Sequence, residues 1–296
     1  MLLLVLIFLQ VILVSAAVSS KKRFSWIKIK EINKIVPYIG LVTEYTPEEN
    51  AFFATGAFMP NPKYPFVVQV NAAAATQQML DLFDMTGIIH FGISGNLNNS
   101  MFIGDISIPK KFANTGLWGW LNPNGTVSSS DVAEIKIGSY NVPQGDGLNM
   151  LGKIGYSNEQ FFSVKEANAA EPLFWAEVNQ HWLHLAASLE GMELDKCVNS
   201  SLCLTQKPKL VVGLKGSTAN IFLDNAASRD FLFKTFEAST ADMESSAAVM
   251  DLAGSQSGDN SIYTFGSLAA LNTVKAVLKF IKKLPAGDVF NSSSTL

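Results

Sequence analysis

The residues best suited to chemistry lie in two stretches, Gly87 to Pro109 and Ala241 to Asp251. In the first, the apolar run Ile88–Phe91 reads as a short buried strand, and Gly92 and Gly95 break it. Glycines directly after a strand permit a tight turn and bring backbone N–H groups close to a ligand, which suits an anion. The chain turns again at Gly104–Asp105 and re-extends through Ile106 and Ile108. Strand, glycine loop and second strand at the carboxyl edge of an α/β sheet often form an anion site. A turn that is merely glycine-rich is the other reading, and spacing alone leaves both open. In the second stretch, small residues dominate from Ala241 to Met250. They predict a helix packed tightly on a sheet, with Asp242 and Glu244 at its N-terminal edge.

Other combinations carry less. His181 and His184 have a metal-capable spacing, but no third ligand type clusters near them, and no metal site is expected. His90 lies in a core strand, so a Ser-His-Asp triad has little support. Thr46-Pro47-Glu48-Glu49 reads as a helix start, with Thr46 as N-cap, proline in the first turn and two acids behind it. That reading accounts for Glu48 and Glu49 without a catalytic role.

The elements that must position these groups follow from pattern. Trp26 to Val36 is amphipathic and ends at Pro37. Tyr38–Val42 and Phe66–Val70 read as strands, and Asn71 caps an alanine-rich helix over Ala72–Leu82. Asn114 to Asn149, rich in Gly, Asn and Ser, reads as a long ordered excursion over the surface, of a kind that is often functional. Pro172–Leu189 is helical by periodicity, Lys209–Leu214 is a strand, Asp230–Phe236 a short helix and Phe265–Lys282 the closing helix. The chain has 296 residues, of which 48 % are hydrophobic and 16 % charged, enough for a large core. A net charge of −3 with mixed signs argues against nucleic acid or an anionic membrane as partner.

Met1 to Val14 is apolar except for Gln10, small residues follow, and Lys21-Lys22-Arg23 comes next. The run is too short to span a bilayer and reads as a signal peptide over residues 1–20, with an uncleaved anchor as the alternative. The expected domain covers residues 26–284, followed by a polar tail over 285–296. The expected destination is the secretory pathway, extracellular or vacuolar, with no membrane attachment once the leader is removed. In that compartment Cys197 and Cys203 can close a small disulfide loop; two buried thiols are the alternative. Sequons stand at Asn98, Asn124, Asn199 and Asn291. Asn124 and Asn199, in polar loops, are the expected glycan carriers, whereas a glycan on Asn98 would obstruct a pocket beside the glycine loop.

The loop Gly92-Ile93-Ser94-Gly95-Asn96-Leu97, with Gly104-Asp105-Ile106 downstream, resembles that of the nucleoside phosphorylase and methylthioadenosine nucleosidase superfamily. Asp242-Met243-Glu244-Ser245-Ser246-Ala247-Ala248 resembles its Met-Glu motif, and Asn71–Ala75 its helix after the second strand ladder. The likeness runs from about Val36 to Ile281. It extends to the bark and vegetative storage proteins of plants through Gly116–Pro123, the two-cysteine insertion at Cys197–Cys203 and Leu214–Phe222.

The resemblance implies a three-layer α/β fold with a central mixed sheet flanked by helices, and cleavage of the base–ribose bond. That reaction passes through an oxocarbenium-like state and needs a proton for the leaving base. Residue by residue, it implies Glu244 on the ribose hydroxyls, Met243 under the sugar, Ile221 and Phe222 near the base, and Asp251 as proton donor. Gly92, Ile93, Ser94 and Gly95 form the phosphate or water loop. It implies no cofactor, with phosphate as candidate co-substrate, a nucleoside or purine base as ligand, and a homo-oligomer. The departures are specific. Ile93 stands where the family has a hydroxyl, Asn96 where it has a second glycine, and no acid or arginine matches near Gly40–Glu49, where Glu44 and Glu49 are the nearest carboxylates. The family strand between the Met-Glu motif and the acid is absent, since Asp251 follows Met250 directly, and a strand pair before Asn71 is absent too. One or more core strands are therefore expected to be missing, and Asp251 is expected at a helix end or in a loop. The function expected is a storage glycoprotein of this superfamily with weak or lost catalysis; the alternative is an active secreted nucleoside phosphorylase or nucleosidase.

Overall fold

A computed structural model describes residues 26–34, 38–43, 45–57, 72–122, 131–136, 152–162, 170–244, 248–252 and 262–284. The leader, the strand expected over Phe66–Val70, the sequons at Asn124 and Asn291 and the tail lie outside the described residues. In chain order the elements are α1 (26–32), β1 (Tyr38–Val42), α2 (Thr46–Ala54), α3 (Ala72–Leu82), β2 (Met85–His90), β3 (Ile93–Asn96), β4 (Ile106–Ile108), β5 (Lys111–Asn114) and β6 (Trp118–Leu121). There follow β7 (Asp131–Ile135), β8 (Lys153–Ser157), β9 (Glu159–Phe162), β10 (Ala170–Leu173), β11 (Trp175–Glu177), α4 (Gln180–Ala187), β12 (Cys197–Asn199) and β13 (Leu202–Cys203). The last are β14 (Leu210–Val212), β15 (Lys215–Thr218), α5 (Ala226–Phe236), β16 (Ala238–Asp242), β17 (Ala248–Leu252) and α6 (Ile262–Ile281).

The chain divides into two compact units. In the first, β1 and β2 form a two-stranded sheet, and α3 packs on β1. The Tyr38 hydroxyl donates to the Ile32 carbonyl at 2.7 Å, and Asn33 Nδ2 donates to Leu82 O at 2.9 Å, tying α1 to both.

The second unit holds an eight-stranded mixed sheet in the order β11-β5-β15-β16-β3-β17-β4-β14. Strands β5, β15 and β16 are mutually parallel, and β3 runs antiparallel to β16. Helix α6 lies along α2 and β17 and buries Leu268, Val274 and Val277. Leu97, Tyr156, Leu232, Phe236 and Ala238 form a core cluster, with Tyr156 stacked on Phe231 at 5.5 Å between ring centroids.

Three expectations change. The helix predicted over Ala241–Met250 is absent: Ala238–Asp242 is the strand β16, paired on both sides, and Ala248–Leu252 is the strand β17. Small residues suit a central strand as well as a close-packed helix, and pairing on two sides overrides local helix preference. The place of the expected missing strand is therefore filled, and Asp251 lies within a strand rather than at a helix end. That filling is uneven. Strand β17 pairs parallel with β3 through a register slip between Val249 and Asp251, and meets β4 through one residue pair, Ala248 with Ile106.

The single helix predicted over Pro172–Leu189 is instead β10, β11 and the shorter α4. Strand β11 pairs with β5 at the sheet's edge, and the Lys111 ammonium sits 4.7 Å from the Trp175 ring centroid. Asn179 then starts α4 by accepting from the Trp182 N–H at 2.9 Å. Finally, the ordered excursion after Asn114 is sheet in part rather than loop: its strands β6 and β7 both pair antiparallel with β8, which follows it.

Cys197 and Cys203 form the disulfide, closing the hairpin of β12 and β13. Replacing both by serine should cost about 2 kcal/mol, because the closed loop is short; chemical denaturation of the double variant measures it. A larger cost is expected at Asn272, which is 0 % exposed. Its side chain accepts from Asp195 N at 2.8 Å and donates to Asp195 O at 2.9 Å, clamping the segment before β12 to α6. Asn272→Ala leaves both backbone groups unpaired and should lower unfolding free energy by about 2–4 kcal/mol in urea titrations.

Candidate functional site

The parallel strands β5, β15 and β16 end level with one another: Thr218 pairs with Asn114 on one side and Asp242 on the other. Ligands of open α/β sheets bind beyond such carboxyl ends. A cleft of about 60 Å³ lies there, lined by Thr115, Trp118, Tyr156, Ser217, Ala219, Ile221, Leu223 and Asp242 among others. Its floor is polar. Thr115 Oγ1 and Ser217 Oγ share a buried hydrogen bond of 2.7 Å, and the Asp242 carboxylate accepts from the Glu244 N–H at 3.0 Å. Its walls are aromatic and aliphatic, and burial raises the Tyr156 phenol pKa, so at neutral pH that hydroxyl remains a proton donor. Planar walls over a few polar groups suit a heteroaromatic ring.

The expected glycine loop is largely strand: Ile93–Asn96 forms β3, paired on both sides, and only Phe91 and Gly92 separate it from β2, because ladder partners distant in sequence hold Gly95 extended. The segment reaches the same edge from the neighbouring strand. Because β3 is antiparallel to β16, with Ala241 opposite Gly95, its first residue Ile93 stands beside the end of β16, where Met243 and Glu244 leave the sheet. Met243 is exposed and Glu244 half-buried. Ser94 and Asn96 are buried, and Asn96 Nδ2 donates to Met101 O at 2.7 Å, bracing the turn that follows. Asp105 closes that turn by accepting from Phe102 N at 3.0 Å and from Lys209 N at 2.9 Å. Burial pushes its carboxyl pKa up despite these bonds.

Glu48 is the residue that sequence reasoning passed over. Tyr45, not Thr46, is the N-cap of α2, and Glu48 is only 4 % exposed. Its carboxylate accepts from the Ile93 N–H at 2.7 Å, the Thr43 hydroxyl at 2.5 Å and the Tyr45 N–H at 3.2 Å. The available signal was the pairing of an acid in a first helical turn with a glycine loop that offers N–H groups. Gly92 is part of this contact, since a Cβ there would lie 2.7 Å from Glu48 Oε1.

The remaining candidates scatter. Ile221 lines the cleft, whereas Phe222 is 65 % exposed and lies outside its lining. Asp251 pairs with Gly95, the residue whose other side faces Ala241. Its backbone therefore lies two strands from β16, about 10 Å, and inward from the edge. Asn199 is exposed, and its Oδ1 accepts from the N–H groups of Ser201 and Leu202. Asn98, in contrast, donates through Nδ2 to Ser239 Oγ at 3.2 Å.

Comparison with known proteins agrees with this architecture. The profile of the phosphorylase superfamily matches residues 67–253. Bark storage proteins A and B of Populus deltoides are each 32 % identical over 234 residues, covering 73 % of this chain and 71 % of theirs. Among solved structures, the 5′-methylthioadenosine/S-adenosylhomocysteine nucleosidase of S. pneumoniae with a transition-state inhibitor superposes with a TM-score of 0.52 at 13 % identity, covering 83 % of this chain and 99 % of that one. The futalosine hydrolase of Helicobacter pylori gives 0.51 at 14 % identity, covering 85 % and 100 %. At such identities the structural matches speak for the fold alone.

The Gly92–Glu48 contact is directly testable. Gly92→Ala must displace the carboxylate from Ile93 and should cost about 1–3 kcal/mol in thermal or chemical unfolding. Gly119→Ala is the control, because a Cβ there meets only Leu121 Cδ2 at 3.9 Å, an ordinary contact.

Proposed function

The chain belongs to the phosphorylase superfamily, and from that premise we propose that it is a storage-type member that keeps a nucleoside or base site with weak or absent turnover. One observation carries the reading: the strand register around Gly95. The residue that the resemblance makes the proton donor, Asp251, starts two strand spacings from β16 and inward of the edge where Met243 and Glu244 emerge. A general acid must come within about 3 Å of the leaving base. That backbone position is two strand spacings from the end of β16, where Ile221 and Asp242 line the cleft. The size of the cleft points the same way, since about 60 Å³ is well below the roughly 300–1,000 Å³ of a typical small-molecule pocket. The family hydroxyl is also replaced by the apolar Ile93.

A second reading, an active nucleosidase, draws support from Glu48. Its buried carboxylate stands against the glycine loop, where it could take a proton from water.

The storage reading includes secretion and glycosylation. Asn199 is the favoured carrier in the described region, because its backbone-bonded Oδ1 leaves the amide nitrogen to bear the sugar while the side chain is exposed. Asn124 remains a carrier on sequence grounds. Asn98 is not one, because its amide nitrogen is engaged with Ser239 inside the fold. Peptide mapping of protein from the secretory pathway should find glycan on Asn199 and none on Asn98.

The catalytic part is tested by base release from inosine, adenosine and methylthioadenosine, alongside calorimetric binding of the same compounds. Binding with little base release is expected, and Asp251→Asn should leave the residual rate unchanged. Robust turnover abolished by Asp251→Asn would overturn the storage reading and install the enzyme.

A further inference from the structure

We propose that the α1 segment is a docking surface for an anionic phospholipid membrane, with Trp26 and Ile27 seated at headgroup level and the lysines around them against the lipid charge. The inference goes beyond the storage reading and does not rest on it.

The chain's net charge of −3 argues against such a partner only where charge is spread evenly. It is not. Residues 21–34 hold six Lys or Arg and one acid, Glu31, a net of +5, which leaves −8 for the rest of the chain. Basic clusters of this size on or beside an amphipathic helix are drawn to anionic lipid. Lys21, Lys22 and Arg23 come shortly before α1 in sequence. Lys28, Lys30 and Lys34 belong to the helix and to the turn that ends it.

The fold fixes which way α1 faces. Ile29 and Ile32 are buried, the Tyr38 hydroxyl donates to Ile32 O at 2.7 Å, and Asn33 Nδ2 donates to Leu82 O at 2.9 Å. Helical spacing puts Ile27 and Lys30 away from that buried pair, and both are exposed, as are Trp26 and Lys34. Trp26 and Ile27 are each 53 % exposed, so the core accounts for neither. A soluble polyanion gains little from an exposed isoleucine. A tryptophan and an aliphatic side chain among lysines are the composition of a helix that lies in a membrane interface. Lysine stems cover apolar surface there while their ammonium groups reach the phosphates. Helix α1 is far too short to cross a bilayer, so the contact is a surface one, and it outlasts removal of the leader.

The experiment is co-sedimentation of the full chain, taken from the secretory pathway, with vesicles of phosphatidylcholine alone or mixed with phosphatidylserine, at low and at high salt. Binding to the mixed vesicles should weaken with salt and should exceed binding to phosphatidylcholine by at least about a hundredfold. Lys30→Gln/Lys34→Gln should weaken it about twentyfold, and Lys30→Glu/Lys34→Glu further; either pair serves if the other fails to fold. Trp26→Ala should weaken it with the salt dependence unchanged. Lys207→Glu/Lys279→Glu changes the total charge as much at exposed positions elsewhere and should bind like the wild type. Equal binding to both vesicles, the mark of a retained leader, overturns the proposal. So does full binding by a folded Lys30/Lys34 variant, or an equal loss in the Lys207/Lys279 control. Tighter binding to polygalacturonate than to the mixed vesicles would assign the surface to an acidic polysaccharide instead and overturn it too.

Discussion

Gly95 carries a strand on each side, Ala241 of β16 across one ladder and Asp251 of β17 across the other. This double pairing holds the centre of the eight-stranded sheet. Through it the start of β3 is fixed beside the end of β16, so the glycine loop and the Met243–Glu244 segment face one edge. Without it the loop would be an isolated turn. The same pairing draws the backbone of Asp251 into the ladder, two strands from β16.

The local motifs are legible in the sequence because they are short and depend on residue type. Glycines after an apolar run, a two-cysteine hairpin and the strand within Lys209–Leu214 need little context. The α/β class is legible for the same reason, and so is α6, whose apolar period is long. Two errors share one cause. Ala241–Met250 and Pro172–Leu189 each contain helix-compatible residues, and each is claimed by a sheet whose partners lie far away in sequence: Gly95 for Asp251, and Lys111 to Ala113 for the strand Trp175–Glu177. Periodicity within a window cannot register such partners. Glu48 is hidden differently. A first-turn acid has a sufficient local explanation, and only the tertiary approach of Ile93 reveals a second one.

Binding and chemistry make different demands on the edge of the sheet. The cleft is lined by strand ends and side chains that follow them: Thr115, Ser217, Ile221 and Asp242. These are set by three parallel strands in register, and they tolerate change elsewhere in the sheet. Chemistry would require an acid, an anion site and a ribose ligand to converge within a few ångströms, a far narrower geometric demand. A fold can keep the first while losing the second, which makes a storage role on an enzyme's scaffold physically inexpensive to reach.

The contact between β17 and β4 is a single residue pair, whereas β4 and β14 share three. The sheet is accordingly two ladders joined by one rung. Free energies of local opening follow the number of cooperatively formed bonds. Amide protons of β4 and β14 should therefore exchange as a block of their own, at lower protection than those of β15 and β16. The seam between the blocks is also the one place inside the sheet where strand edges are barely paired with each other, and so the place where unfolding under load or heat would begin.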